Sequence, residues 1–255
     1  MPVTRTLVLA LLLAAPAAAQ GDPAADRARY QACIALAQQD PAAAEAEALA
    51  FQGAGGGIPA RHCRALAQLA GGKPAAAAET LAEAAEAADA SRNAFAADLW
   101  AQAGNAAFLA ERNADAARYL TNAIAGAGPH SPLRLASFHL DRARVRAELG
   151  QTAEARADLD QAIRLSPDDP AAWMLSAALA RRQGDLGRAA ADIERATGQA
   201  GSDPDVLFEA GNVAAAGGDM ENARRLWEMV QRLGPGSDAA RLAGEALARG
   251  NTEQP

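Results

Sequence analysis

Between Asp238 and Arg249 the apolar residues Leu242, Ala246 and Leu247 fall on one face of a helical projection, and Arg241, Glu245 and Arg249 fall on the opposite face. That spacing predicts an amphipathic helix with one side to bury. Near the other end, residues 25–57 carry two further amphipathic segments split at Asp40-Pro41. Proline cannot continue a helix already under way, so two helices are expected there rather than one. The chain between these ends is a succession of helix-length segments separated by glycine or proline.

The segments repeat with a period of 34. From Ala136, steps of that length land on Pro170, Pro204 and Asp238, and equivalent residue types fall into register. A small residue comes eighth (Ala143, Ala177, Gly211) and a glycine fifteenth (Gly150, Gly184, Gly218). A small residue follows at twenty (Ala155, Ala189, Ala223), a large apolar one at twenty-four (Leu159, Ile193, Trp227), and a breaker at thirty-two (Pro167, Gly201, Pro235). Two antiparallel helices that approach closely need Ala or Gly where they cross, with bulky residues filling the space between. The glycine suits the left-handed residue that ends a helix.

An upstream unit, 97–130, keeps Trp100, Gly104, Ala116, Leu120 and Ala123, but Glu111 stands where the turn glycine belongs. Five extra residues, Ser131 to Leu135, precede the next unit, and Ser131-Pro132 reads as a cap and first helical position, so that helix should start early. Residues 58–91 keep Gly72, Ala77, Leu81 and Ala84; residues before them keep only helicity.

These residues resemble the tetratricopeptide repeat, strongly from residue 97 and weakly before it. The resemblance implies an all-α, right-handed superhelical solenoid of antiparallel helix pairs with a concave groove. The expected organisation is degenerate helical units over 20–96, four units at 97–130, 136–169, 170–203 and 204–237, a capping helix at 238–249 and a disordered tail at 250–255.

Composition agrees with helix. Half of the residues are apolar, mostly alanine with leucine, and aromatics make up only 4%. This mixture favours helix over sheet. The net charge of -7 is spread over interspersed acids and bases, which leaves no electrostatic footprint for nucleic acid. The first residues read as an export signal: Arg5, the apolar run Leu7 to Ala15, Pro16, and an Ala17-x-Ala19 cleavage pattern. Cleavage between Ala19 and Gln20 would make 1–19 a signal peptide and the product periplasmic or secreted. The run is too short for stable membrane insertion, and no cysteine follows the cut to carry a lipid.

The candidate chemistry is sparse. Cys33 and Cys63 lie on first helices of neighbouring units, and an even cysteine count in an oxidising compartment suggests a disulfide. Two buried inert thiols, or a metal site formed by Cys33, His62 and Cys63, are the alternatives. There is no G-x-S-x-G, no H-E-x-x-H and no phosphate loop, so neither an enzyme nor a cofactor is expected. His130 and His139 read as structural, and Glu154, Asp158 and Asp160 as a solvated helix face.

The groove that the resemblance implies would be lined from the first helices. The corresponding residues are Asn105, Phe108, Leu109, Leu140, Arg144 and Glu148, then Met174, Arg181, Arg182, Phe208 and Asn212. Apolar groups with arginines among them suit a protein or peptide partner. Phe108, Leu140, Met174 and Phe208 could equally pack against neighbouring helices. Some family members clamp a terminal carboxylate with lysine and asparagine; Ala101 and Phe208 replace the lysine and Asp141 one asparagine, which argues against that ligand. The expected function is a non-catalytic scaffold or adaptor of the cell envelope, with a self-associating structural protein as the alternative.

Overall fold

The computed structural model describes residues 22–128 and 131–252, with side chains to Arg249. The expected signal segment, His130 and the last three residues lie outside that range. Six helix pairs and a final helix follow one another: α1 (Pro23–Gln39) with α2 (Pro41–Gly53), α3 (Gly57–Ala70) with α4 (Pro74–Ala90), and α5 (Ala96–Leu109) with α6 (Asn113–Gly126). Then come α7 (Pro132–Glu148) with α8 (Thr152–Leu165), α9 (Pro170–Arg182) with α10 (Leu186–Ala200), α11 (Pro204–Ala216) with α12 (Met220–Leu233), and α13 (Asp238–Thr252). No strand occurs among the described residues. Each helix packs on the next, and first helices also meet along the stack (α1 with α3, α9 with α11, α11 with α13). The fold is an all-α solenoid.

Local chemistry sets the boundaries. Asp22, Asp40, Asp169 and Asp203 each cap a helix whose first residue is proline, accepting a hydrogen bond from a backbone N–H that the helix cannot satisfy. Ser131 holds the equivalent place before α7, but its hydroxyl makes no capping bond. The turns inside the pairs close on a left-handed residue: Gly150 at φ 72°, Gly184 at 78° and Gly218 at 88°. Glu111 takes the same conformation, φ 58°, without being glycine. An L-residue there is strained by roughly 1 kcal/mol. Asp185 and Asp219, directly after two of those glycines, cap the second helix of their pairs.

The small-against-large pairing is a packing fact. A Cβ added to Gly104 would lie 2.6 Å from Leu120 Cγ, and one added to Gly211 would enter the Trp227 indole. The core divides at α7. Phe138 and Val145 belong to a continuous body of buried residues that begins at Ala65, whereas Leu140 and Ala143 belong to the next one, with Leu159 and Leu179. Two further clusters follow, one around Ile193 and one around Trp227, the second closed by Ala239, Ala243 and Ala246 of α13. That helix runs on past the expected stop at Arg249 to Thr252.

Candidate interaction surface

At the N-terminal end, Cys33 of α1 and Cys63 of α3 are joined as a disulfide, Cα to Cα 6.1 Å, with Tyr30 packed beside them. Both sulfurs are thereby consumed, so the metal site of Cys33, His62 and Cys63 is ruled out: a disulfide offers no thiolate. His62 instead ties three first helices together. Its Nδ1 is 2.6 Å from Tyr30 Oη of α1, and its Nε2 is 2.8 Å from Gln102 Oε1 of α5. α3 and α5 make little direct contact. Between them opens a cavity of about 600 Å³ with Ile58, Pro59, Phe95 and Leu99 as its apolar wall. Tyr30, His62, Asn93, Asp98 and Gln102 supply the polar side.

Further along, the side chains of the first helices pair with one another across repeats. Arg134 meets Asp98 at 3.3 Å, and Asn105 donates to Asp141 at 3.0 Å. Arg182 reaches Glu148 at 3.4 Å, and Arg181 holds Glu209 through Nε and Nη2 at 2.7 and 3.1 Å. Arg144 stands 3.6 Å from Asp141, and Asn212 donates to Glu209. Asp141 is raised above the ordinary aspartate value because burial outweighs the favourable Asn105 and Arg144 contacts. Of the apolar candidates, Leu140 is 8% exposed and belongs to the core, whereas Leu109 is 67% exposed. Phe108, Met174 and Phe208 are half-buried against three different core clusters. Arg144, Glu148, Leu175 and Arg182 also border a small depression of about 70 Å³ between α7 and α9.

One expectation is corrected. Asp158 is not on a solvated face; it is 2% exposed. His139 Nδ1 lies 2.8 Å from its carboxylate, Arg142 binds both oxygens, and Arg146 reaches Oδ2 at 2.7 Å. Burial by itself would raise this carboxyl, but the hydrogen bonds from His139 and Arg142 and the charges of Arg142 and Arg146 outweigh it and lower it to about 2. Asp192, one period on, is also buried; it accepts from the Ser176 hydroxyl, which Arg156 of the preceding repeat contacts in turn. Arg188 spans Asp192 and Asp160, so Asp160 too is paired, and Glu154 remains exposed.

Sequence reasoning missed the opening at Tyr30, His62 and Gln102, and it missed the buried aspartates. A signal for the latter was present: His139, Arg142 and Arg146 form a basic stripe at one-turn spacing, and aspartate recurs at 158 and 192, one repeat apart.

Residues 140–204 and 177–238 match the tetratricopeptide repeat family, and the same helix-pair architecture continues upstream of the match, so the fold is a solenoid of the tetratricopeptide type. Among solved structures, PilF of Pseudomonas aeruginosa is similar over 91% of this chain and 98% of its own, with 18% identity and a TM-score of 0.67. PilW, described as a widely conserved type IV pilus biogenesis factor, is similar over 86% and 97%, with 20% identity and a TM-score of 0.68. YrrB, described as having an unusual peptide-binding site, is similar over 74% and 92%, with 20% identity and a TM-score of 0.51. At these identities the likeness is one of fold. No curated protein matches the chain in sequence. No helix among the described residues is long and apolar enough to cross a membrane.

Proposed function

We propose that this protein is a non-catalytic scaffold of the bacterial cell envelope that holds a partner polypeptide along its first helices. The observation that carries the reading is the continuous side formed by α1, α3, α5, α7, α9 and α11. It opens into a cavity at one end and presents paired but exposed charges, Arg144, Glu148 and Arg182, further along on α7 and α9. Repeat solenoids bind through such extended faces while the repeats themselves do no chemistry. The described peptide-binding site of YrrB and the pilus role of PilW support the reading by analogy of fold. Asn105, Phe108, Met174, Arg181, Phe208 and Asn212 complete the proposed face. The Arg5, Leu7 to Ala15 and Ala17-x-Ala19 pattern supports export and cleavage after Ala19.

The test places a photo-crosslinking side chain at Arg144 or Asn212 on first helices, and at Glu194 or Arg225 on second helices, in living cells. One discrete adduct from the first-helix positions alone is expected. Equal adducts from the second helices, or none from either, would overturn the assignment. The purified protein should begin at Gln20 by mass; a product beginning at Met1 would sink the export reading.

A further inference from the structure

We propose that the opening beside the disulfide is a binding pocket for one bulky apolar side chain of a polypeptide, whose neighbouring backbone carbonyls are held by Asn93 and Gln102. The inference deepens the scaffold reading and rests on it. It begins with size: about 600 Å³ lies within the range of formed ligand sites and far exceeds the room that an ordered water needs. Ile58 and Leu99 form part of the wall, and Phe95 lies on it with 67% of its surface exposed. An aromatic left open at the mouth of a concavity is the residue type that anchors interfaces.

Hydrogen bonding then selects the rest of the ligand. Gln102 Oε1 is occupied by His62 Nε2, and Asn93 Oδ1 by the backbone N–H of Phe95. Both amide orientations are thus set, and the two NH₂ groups donate to no acceptor among the described residues. The cavity therefore offers amide donors beside an apolar wall. Its one carboxylate, Asp98, is 3.3 Å from Arg134, which leaves no spare negative charge to attract a cation. Acceptor oxygens flanking a neutral apolar group are what a peptide supplies at each residue: backbone C=O groups on either side of a Leu-like or Phe-like side chain. The site is also preorganised, because the Cys33–Cys63 bond fixes α1 to α3 and His62 fixes both to α5.

The experiment titrates the isotope-labelled mature protein with acetylated, amidated Gly-Ser hexapeptides carrying one guest residue, Phe, Leu, Ala or Asp, and follows its amide resonances. Phe and Leu guests should shift Asn93 and Gln102 side-chain amides and bind about tenfold or more tightly than Ala or Asp guests. Asn93→Ala and Gln102→Ala should each weaken the Phe guest about fivefold, with resonances remote from the opening unmoved. Ala binding as tightly as Phe, or no saturable shift with any guest up to ~5 mM, would overturn the proposal. So would N-acetylphenylalaninamide binding as tightly as the Phe hexapeptide, since the peptide oxygens would then contribute nothing. The titration needs no natural partner, so a protein that crosslinks to nothing in cells can still pass it. A pocket that binds no guest while first-helix crosslinks form sinks the pocket and leaves the scaffold.

Discussion

From Asp22 to Gly128 the interior is dominated by alanines, with a covalent bond at its start and few buried polar groups, Gln68 and Thr80. Beyond Ser131 the interior is divided repeat by repeat, and buried carboxylates, Asp158, Asp192 and Glu209, tie neighbouring helices together. The same helix-pair plan is thus held in two ways. Alanine helices pack closely, but each side chain buries little surface, so the degenerate end needs its disulfide. The regular end adds directional contacts that fix how each pair sits on the next.

The comparison can be broken at four points. The largest effect is expected at Asp158→Ala, which leaves Arg142, Arg146 and His139 facing an empty site: a loss of about 3–5 kcal/mol by denaturant unfolding, with hydrogen exchange rising in α7 to α9 before α3 to α5. Acid should act the same way. Because Asp158 is lowered in the folded state, its contribution is full above the ordinary aspartate range and is lost as pH falls from about 4 through about 2. Roughly 2 kcal/mol disappears over that window, and Asp158→Asn should show a flatter profile. Next comes the paired change Cys33→Ser and Cys63→Ser, expected to remove about 3–4 kcal/mol through the unfolded state, confined to α1 to α4 in hydrogen exchange.

Smaller effects sharpen the contrast. Gly211→Ala drives a methyl into the Trp227 indole and should lose about 1–3 kcal/mol, whereas a change of the exposed Gly198 to Ala meets no neighbour and should stabilise slightly. Glu111→Gly relieves a left-handed L-residue and should gain about 1 kcal/mol in thermal unfolding.

Much of the architecture was legible because it is written locally. The repeat period, the glycine turns and the pairing of position eight with position twenty-four each depend on residue types a few turns apart. Asp158 was illegible by the same method: one carboxylate among three on an amphipathic helix looks solvated until the partners on the preceding helix are placed against it. The opening at His62 was harder still. It arises where α1, α3 and α5 converge, three helices from the least regular units, and its lining residues share no spacing. Groove candidates such as Leu140 show the converse difficulty, since a position that faces the concave side can still be covered by its neighbours.

The division of the core at α7 has a mechanical consequence. Residues of that one helix face both interiors, Phe138 and Val145 backward and Leu140 and Ala143 forward, while its contact with α5 and α9 is sparse. A load carried between the two ends of the solenoid therefore passes chiefly through α6, α7 and α8, with the polar ties Arg134–Asp98, Asn105–Asp141 and Arg182–Glu148 as the side-by-side bracing. At such a joint, small rotations of α7 change the curvature of the whole face, and with it the distance between the N-terminal opening and the charge pairs around Arg182.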